Sequence, residues 1–216
     1  MRAFVPILLL VGCTTSRAIK PLPKGTGAVT ASLGGPFDSD LGVTFPLPLT
    51  SIGYMHGLDG KTNLHGSFFP TGLLAFGVPG ASVGIARELW PPDGPSPRLM
   101  VDGTLSMFGG DASKGPPGPE FRVFADTSAV LSWDLRAHSV YTGLDVFLQP
   151  GPTVNAHLTP LVGTELRAGR TSVAFEAEWL VFYQDNRPLA ANWWGPAHRG
   201  ALQVQVGLAY RLGRNR

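Results

Sequence analysis

The chain has 216 residues, 15% of them charged, with a formal net charge of +2, against about 25% charge in an average soluble domain. That length suits one domain, and so small a positive balance excludes the basic footprint of a nucleic-acid-binding protein. Glycine (28) and proline (20) are abundant without reaching a low-complexity composition, and there is no internal repeat.

The chain opens with Met1-Arg2 and an apolar run from Ala3 to Val11. That run is too short to cross a bilayer as a helix, which takes about 20 residues, so it reads as a cleavable export signal. It closes on Leu10-Val11-Gly12-Cys13, which resembles the processing box of bacterial lipoproteins. The resemblance implies that residues 1–12 are a cleaved lipoprotein signal peptide. Cys13 is then acylated as the new N-terminus, 13–24 form a lipidated tether containing Pro21 and Pro23, and 25–216 form the folded domain. An ordinary secretory signal with an incidental cysteine is the alternative. Cys13 is the sole cysteine and so has no disulfide partner within the chain. Thr14 after it, rather than Asp, favours onward sorting to the outer membrane by the same resemblance.

Period-two alternation then recurs along the chain, the mark of strands with one apolar and one polar face. Gly25 to Leu33 is the first such stretch. Residues 36–50 are poorly patterned, and Pro36, Pro46 and Pro48 oppose a central strand there. Ile52 and Tyr54 lead through the hairpin signal Asp59-Gly60 to Leu64 and Phe68. Pro70 to Gly80 reads as an irregular connection, and Ala81 to Leu89 as a strand whose apolar face is interrupted by Arg87. The next strands put Leu99, Val101, Leu105 and Met107, then Phe121, Val123, Ala125, Ala129, Leu131 and Trp133, on one face. Val140, Thr142, Leu144, Val146 and Leu148 follow, and then Leu158, Val162 and Leu166. Pro160 inside that strand predicts a bulge or a register break. Val173, Phe175, Ala177, Trp179 and Val181 form the ninth apolar face. Leu202, Val204, Val206, Leu208, Tyr210 and Leu212 form the tenth.

Ten strands bring both ends of the chain to one side. Short connections (59–61, 135–138, 168–170) alternate with longer ones (36–50, 70–80, 109–120, 149–155, 185–198). This is the arrangement of an outer-membrane barrel with termini and short turns in the periplasm. The last strand ends on Gln205, Gly207, Tyr210 and Leu212, which resembles the C-terminal signal by which the assembly machinery recognises such barrels. The expected fold is therefore all-β: a closed antiparallel up-and-down transmembrane β-barrel of about ten strands, with eight as the fallback. Alternation alone fits a soluble barrel equally well. The chargeless apolar faces of the last six strands favour lipid, where Lys or Arg at mid-bilayer costs about 2–4 kcal/mol. Trp90, Trp133 and Tyr210 on the turn side, and Phe121 and Tyr183 on the loop side, suit interfacial girdles. Trp193-Trp194 in the last long loop suits a glycan or headgroup, or simple packing on that loop.

The polar faces carry Asp102, Arg122, Asp126, Asp145, Glu165, Glu176, Glu178 and Arg211. Glu176 and Glu178 could serve as paired carboxylates, but small barrels fill their lumen with such groups, and acid–Arg pairing satisfies them. We therefore expect a structural network. Small outer-membrane acyltransferases and deacylases place His with Ser and an acid. Here His56, His65, His138, His157 and His198 show no identifying Ser spacing, and no metal cluster, phosphate-cradling loop or amphipathic helix appears. The expectations are thus a non-enzymatic, cofactor-free, lipid-anchored monomer in a Gram-negative outer membrane. Its partners are membrane lipids and the barrel-assembly machinery, and its role is structural, adhesive or narrow-passage. A lipid-anchored soluble periplasmic barrel binding a small apolar ligand, and a lipid A-modifying barrel enzyme, are the alternatives.

Overall fold

The computed structural model describes residues 17–38, 44–46, 48–109, 122–136, 138–149, 155–185 and 194–213. Its elements are β1 (Gly27–Asp38), the two-residue β2 (Phe45–Pro46), β3 (Leu49–Gly57), β4 (Thr62–Phe68) and the short helix α1 (Pro70–Phe76). They continue with β5 (Gly80–Trp90), β6 (Arg98–Phe108), β7 (Arg122–Leu135), β8 (His138–Gln149), β9 (Asn155–Ala168) and β10 (Thr171–Asp185). A 3-10 turn, Pro196–His198, precedes β11 (Arg199–Leu212). Apart from β2, which pairs only with the end of β1, each strand lies antiparallel to its neighbours in sequence. The ring closes where β1 meets β11, from Gly27↔Leu212 to Pro36↔Gln203. All ten predicted strands are present in a closed barrel, so the eight-strand fallback falls away.

The period-two pattern sets the faces. Val29, Ile52, Leu64, Val83, Ile85, Leu105, Val162, Phe175, Val206 and Leu208 are exposed, whereas Thr30, Ser51, Ser82, Thr104, Ser128, Thr159, Gln203 and Gln205 are buried. This inverts the usual order, in which apolar side chains fill the interior. The outward charge foreseen at Arg87 lies opposite Thr62, the first residue of β4, and so at the turn-side rim. Trp90 and Tyr210 stand exposed at turn-side strand ends and Tyr183 at a loop-side end. Phe121 lies outside the described residues.

Four details differ from expectation. First, β1 runs through Pro36. Its ladder to β3 stops at Gly34↔Leu49 and its pairing with β2 begins only at Phe37↔Pro46, so at Gly35 and Pro36 it is held by β11 alone, an edge-like position that tolerates proline. Second, Pro160 breaks nothing toward β8. The register passes without a shift through Leu144↔Pro160, and the β9–β10 ladder ends one residue later, at Glu178↔Leu161. The missing N–H thus falls where pairing to β10 has ceased. The irregularity lies instead in β10, between Leu180 and Asp185, where Val181 takes φ 47°. This is the third difference: the break turns Val181 inward and buries it, against the outward face predicted for it. Fourth, the connection at 70–80 contains α1. Pro70 suits the first turn, and Gly77 ends the helix at φ 65°, its N–H reaching the carbonyls of Gly72 and Leu73. Seven residues are too few to show a helical period.

At the β3–β4 hairpin Gly60 takes φ 84°. Asp59 Oδ1 accepts from the N–H groups of Lys61 (2.8 Å) and Thr62 (2.6 Å), and Oδ2 accepts from the Thr62 hydroxyl (3.1 Å). The Lys61 N–H first, and the Thr62 donors with it, hold the Asp59 carboxyl below its ordinary value. The turn contact is therefore complete above the ordinary carboxylate range and is lost as the pH falls through the lowered value. An NMR titration of the folded protein should place the Asp59 midpoint below the ordinary aspartate value of about 3.9.

Inside the wall, glycines make room for large side chains. A Cβ on Gly163 would meet the Tyr141 ring at 2.2 Å, whereas one on outward-facing Gly103 would meet nothing within 4 Å. Gly163→Val should therefore lower the temperature at which the compact gel band unfolds, by the about 1–3 kcal/mol typical of overpacking. Gly103→Val should leave it unchanged or raise it, since a β-branched side chain suits an open strand position.

Candidate functional site

The stretch read as a linker has a place of its own: from Arg17 to Leu22 it lies inside the barrel, entered from the turn side. Ile19 is 3% exposed, packed among Val130, Tyr141 and Leu161 of the inner wall. Ser132 donates to the Ile19 carbonyl (3.2 Å). Asn63 holds the backbone on both sides, accepting from the Leu22 N–H (2.8 Å) and donating to the Lys20 carbonyl (3.2 Å). Gly57 is the notch at the mouth, since a Cβ there would meet the carbonyl oxygens of Pro23 and Leu22 at 2.5 and 2.7 Å. Pro21 and Pro23 lack the N–H groups that would let this segment pair with the wall as another strand.

The segment delivers Arg17 to the middle of the lumen. Its two terminal nitrogens clasp the Asp145 carboxylate end-on, both at 2.8 Å, and Nε donates to Glu176 at 3.0 Å. Glu178 stands 3.5 Å away. Gln205 donates to Glu176 (2.5 Å) and Gln203 to Glu178 (3.1 Å). The forked guanidinium matches a carboxylate geometrically, as an ammonium does not. Both glutamates point inward because they stand two apart on β10, so neither is exposed to act on an outside substrate.

Below this hub, toward the turns, a second belt balances itself. Arg98 Nε donates to Glu88 (2.6 Å), and its Nη1 donates to Asp134 (3.3 Å). Asp134 also accepts from Ser139 (2.7 Å) and pairs with Lys20, while Arg167 donates to Glu165 (2.5 Å) and Ser139 (3.1 Å). On another sector of the wall, His65 Nε2 and Asp102 Oδ2 are 2.6 Å apart, and Thr104 donates to the other Asp102 oxygen at 2.6 Å. Gly84 between them lets the imidazole lie across β5, since a Cβ there would meet both His65 and Thr104. Asp126 lies opposite Thr104 and two pairs along from the Ser128↔Asp145 pair, with its Oδ1 buried and unpartnered. Toward the loops the lumen turns apolar. Phe69, Phe108, Phe124 and Phe147 pack in series at centroid distances of 5.2, 5.9 and 5.1 Å, the first and last contacts stacked and the middle one edge-to-face, forming an aromatic arc along the β4–β8 wall.

The structure thus joins Asp145, Glu176 and Glu178 in one network, gives Asp102 to His65, and gives Glu165 to the lower belt. Arg122 stands at the loop end of β7, opposite Phe108. Arg211 is not in the network: it lies exposed at the turn end of β11 and donates to the Gly169 carbonyl (2.7 Å), capping the β9–β10 turn. Of the C-terminal signal residues, Gln205 and Gly207 face inward and Tyr210 and Leu212 outward. Trp194 packs edge-on against Phe37 (6.0 Å) and pairs its backbone with Phe37 and Leu202, whereas Cys13 and Trp193 lie outside the described residues. Arg17 itself was missed in sequence. The signal for it was a local surplus: Asp126, Asp145, Glu176 and Glu178 all take inward positions near mid-strand, where the strands place no arginine, which calls for a cation from outside the strands. Beside the segment, a cavity of about 400 Å³ opens between it and small wall residues such as Ala28, Thr30, Ser172 and Ala209.

No protein-family model matches the chain, and no curated protein matches its sequence. Among solved structures, it is similar to an outer-membrane channel from Pseudomonas putida F1, with TM-score 0.50 and 8% identity over 92% of this chain and 100% of that one. It is also similar to the translocator domain of the autotransporter NalP from Neisseria meningitidis, at TM-score 0.48 and 11% identity over 90% and 91% of the two chains. A third is the outer-membrane protein Ail from Yersinia pestis, at TM-score 0.32 and 9% identity over 88% and 100%. The first likeness is one of fold.

Removing Arg17 leaves three carboxylates facing one another in a closed lumen. Arg17→Ala should cost about 3–5 kcal/mol, the range for breaking one side of a buried ion pair. Adding Glu178→Gln should recover part of that loss. Both are read from the temperature at which the compact gel band converts to the unfolded one.

Proposed function

We propose that this protein is a Gram-negative outer-membrane barrel, closed as it stands, whose role is structural or adhesive with at most a narrow passage. The observation that carries this reading is the inside-out distribution of side chains. Apolar residues cover the outer face of a closed ring, and carboxylates, amides and guanidinium groups fill its centre. In hydrocarbon every backbone N–H and C=O must be paired, and a closed ladder does this without an edge. A soluble barrel for an apolar ligand needs the opposite arrangement, and in this chain the apolar rows point outward. Turns and both termini are assigned to the periplasm and the longer connections to the outer face, as in other barrels of this kind. The protein acts as a monomer among outer-membrane lipids, after handling by the barrel-assembly machinery.

An enzymatic role has little support in the geometry. The His65–Asp102 pair is in the lumen, away from the outer face where acyl chains lie. Acylation at Cys13 rests on the resemblance of residues 10–13. Only Thr14, Thr15 and Ser16 separate Cys13 from Arg17, a reach of about 14 Å when extended. An acyl anchor and the lumenal seat of Arg17 thus share a short leash.

With Cys13→Ser, the protein should still leave the membrane only in detergent and should still change gel mobility on heating. Release into the soluble fraction would sink the membrane reading. The mass of the mature N-terminal peptide decides the anchor independently: acyl chains on Cys13 are expected, and a free N-terminus elsewhere removes the anchor and leaves the barrel untouched.

A further inference from the structure

We infer that the lumen is a cation-selective passage which the chain's own N-terminal segment, Arg17–Leu22, holds shut. This rests on the membrane-barrel reading and adds to it what passes and what closes the path.

Three observations carry it. First, the segment fills only part of the bore: the cavity of about 400 Å³ beside it opens at the turn side, and a separate small cavity of about 30 Å³ lies against Glu176, Gln205 and Tyr141. Second, the segment is built to stay separate from the wall. Its prolines keep it off the sheet, its grip is the Arg17 ion pairs, the Lys20–Asp134 pair, hydrogen bonds to Asn63 and Ser132 and the buried side chain of Ile19, and it is continuous with the barrel only at β1. An ordinary wall strand, by contrast, is fixed by a full ladder on both sides. Third, the wall is left acidic once the segment leaves. Asp145, Glu176 and Glu178 lose their guanidinium partner, and Asp126 and Asp102 lie on the adjoining strands. Rings of carboxylates favour cations in a confined path. On the loop side, the aromatic arc of Phe69, Phe108, Phe124 and Phe147 narrows the exit, so the open state is of small conductance.

The test uses the full chain in planar bilayers under a potassium chloride gradient. Gly57→Val crowds the segment at the mouth without touching a charge, and Arg17→Met releases it at the hub. Both are checked first for heat-shifted gel mobility, so that only folded barrels are compared. Wild-type protein should be mostly silent. Each folded variant should conduct several-fold more often, with a reversal potential of the sign for K⁺ over Cl⁻. Adding Asp145→Asn to Gly57→Val should weaken that selectivity while conduction persists. Folded, inserted variants that stay silent, or that prefer Cl⁻, overturn this inference and leave the membrane barrel standing. Failure of every form to insert or to shift on heating overturns the membrane reading itself.

Discussion

The rest of the structure depends on one electrostatic debt inside the ring. The outward rows of these strands are apolar and their acidic side chains look inward, where Asp145, Glu176 and Glu178 meet, buried. Charges taken out of water are tolerable only when closely paired and hydrogen-bonded. The strands bring Gln203 and Gln205 to help but no guanidinium at that height. The chain meets the demand with Arg17, which clasps Asp145 through two equal hydrogen bonds and reaches both glutamates. A linker thereby becomes an internal part of the fold.

Around that hub the wall is graded. Near the turns, Arg98, Arg167 and Lys20 offset Glu88, Glu165 and Asp134 in a self-balanced belt. Mid-lumen is acidic apart from its borrowed guanidinium. Toward the loops, phenylalanines replace charge altogether. Glycines set the clearances between these layers, at Gly163 beneath Tyr141, at Gly84 beneath His65, and at Gly57 beneath the entering segment.

The barrel was legible because its pattern has period two, and a closed ring with an apolar outer face and a polar inner one carries that pattern at almost every strand position. The inward or outward direction of Leu64, Leu105, Leu144, Phe175 and Val206 follows from parity alone. Parity fails where the backbone departs from regular pairing, which is why Val181 turns inward beyond the irregularity in β10. Prolines misled for a related reason. A proline opposes a strand only if a neighbour needs its N–H, and at Pro36 and Pro160 the ladder on one side has already ended. The inward carboxylates were readable, but their partner was not sought among residues outside the strands. Arg211 shared the right parity and was misplaced by it, since at a strand end the nearest acceptor is a turn carbonyl.

The position of Arg17–Leu22 also bears on the order in which the molecule is made. The segment leads directly into β1, and β1 is one lip of the seam with β11. A cylinder that zips that seam around the segment captures it at no extra cost. A cylinder that zips first has to be threaded afterwards through its own mouth, more slowly the bulkier whatever precedes residue 17. Charge pairing at the hub thereby favours a biogenesis in which the first residues of the folded domain are loaded before the last seam is sewn.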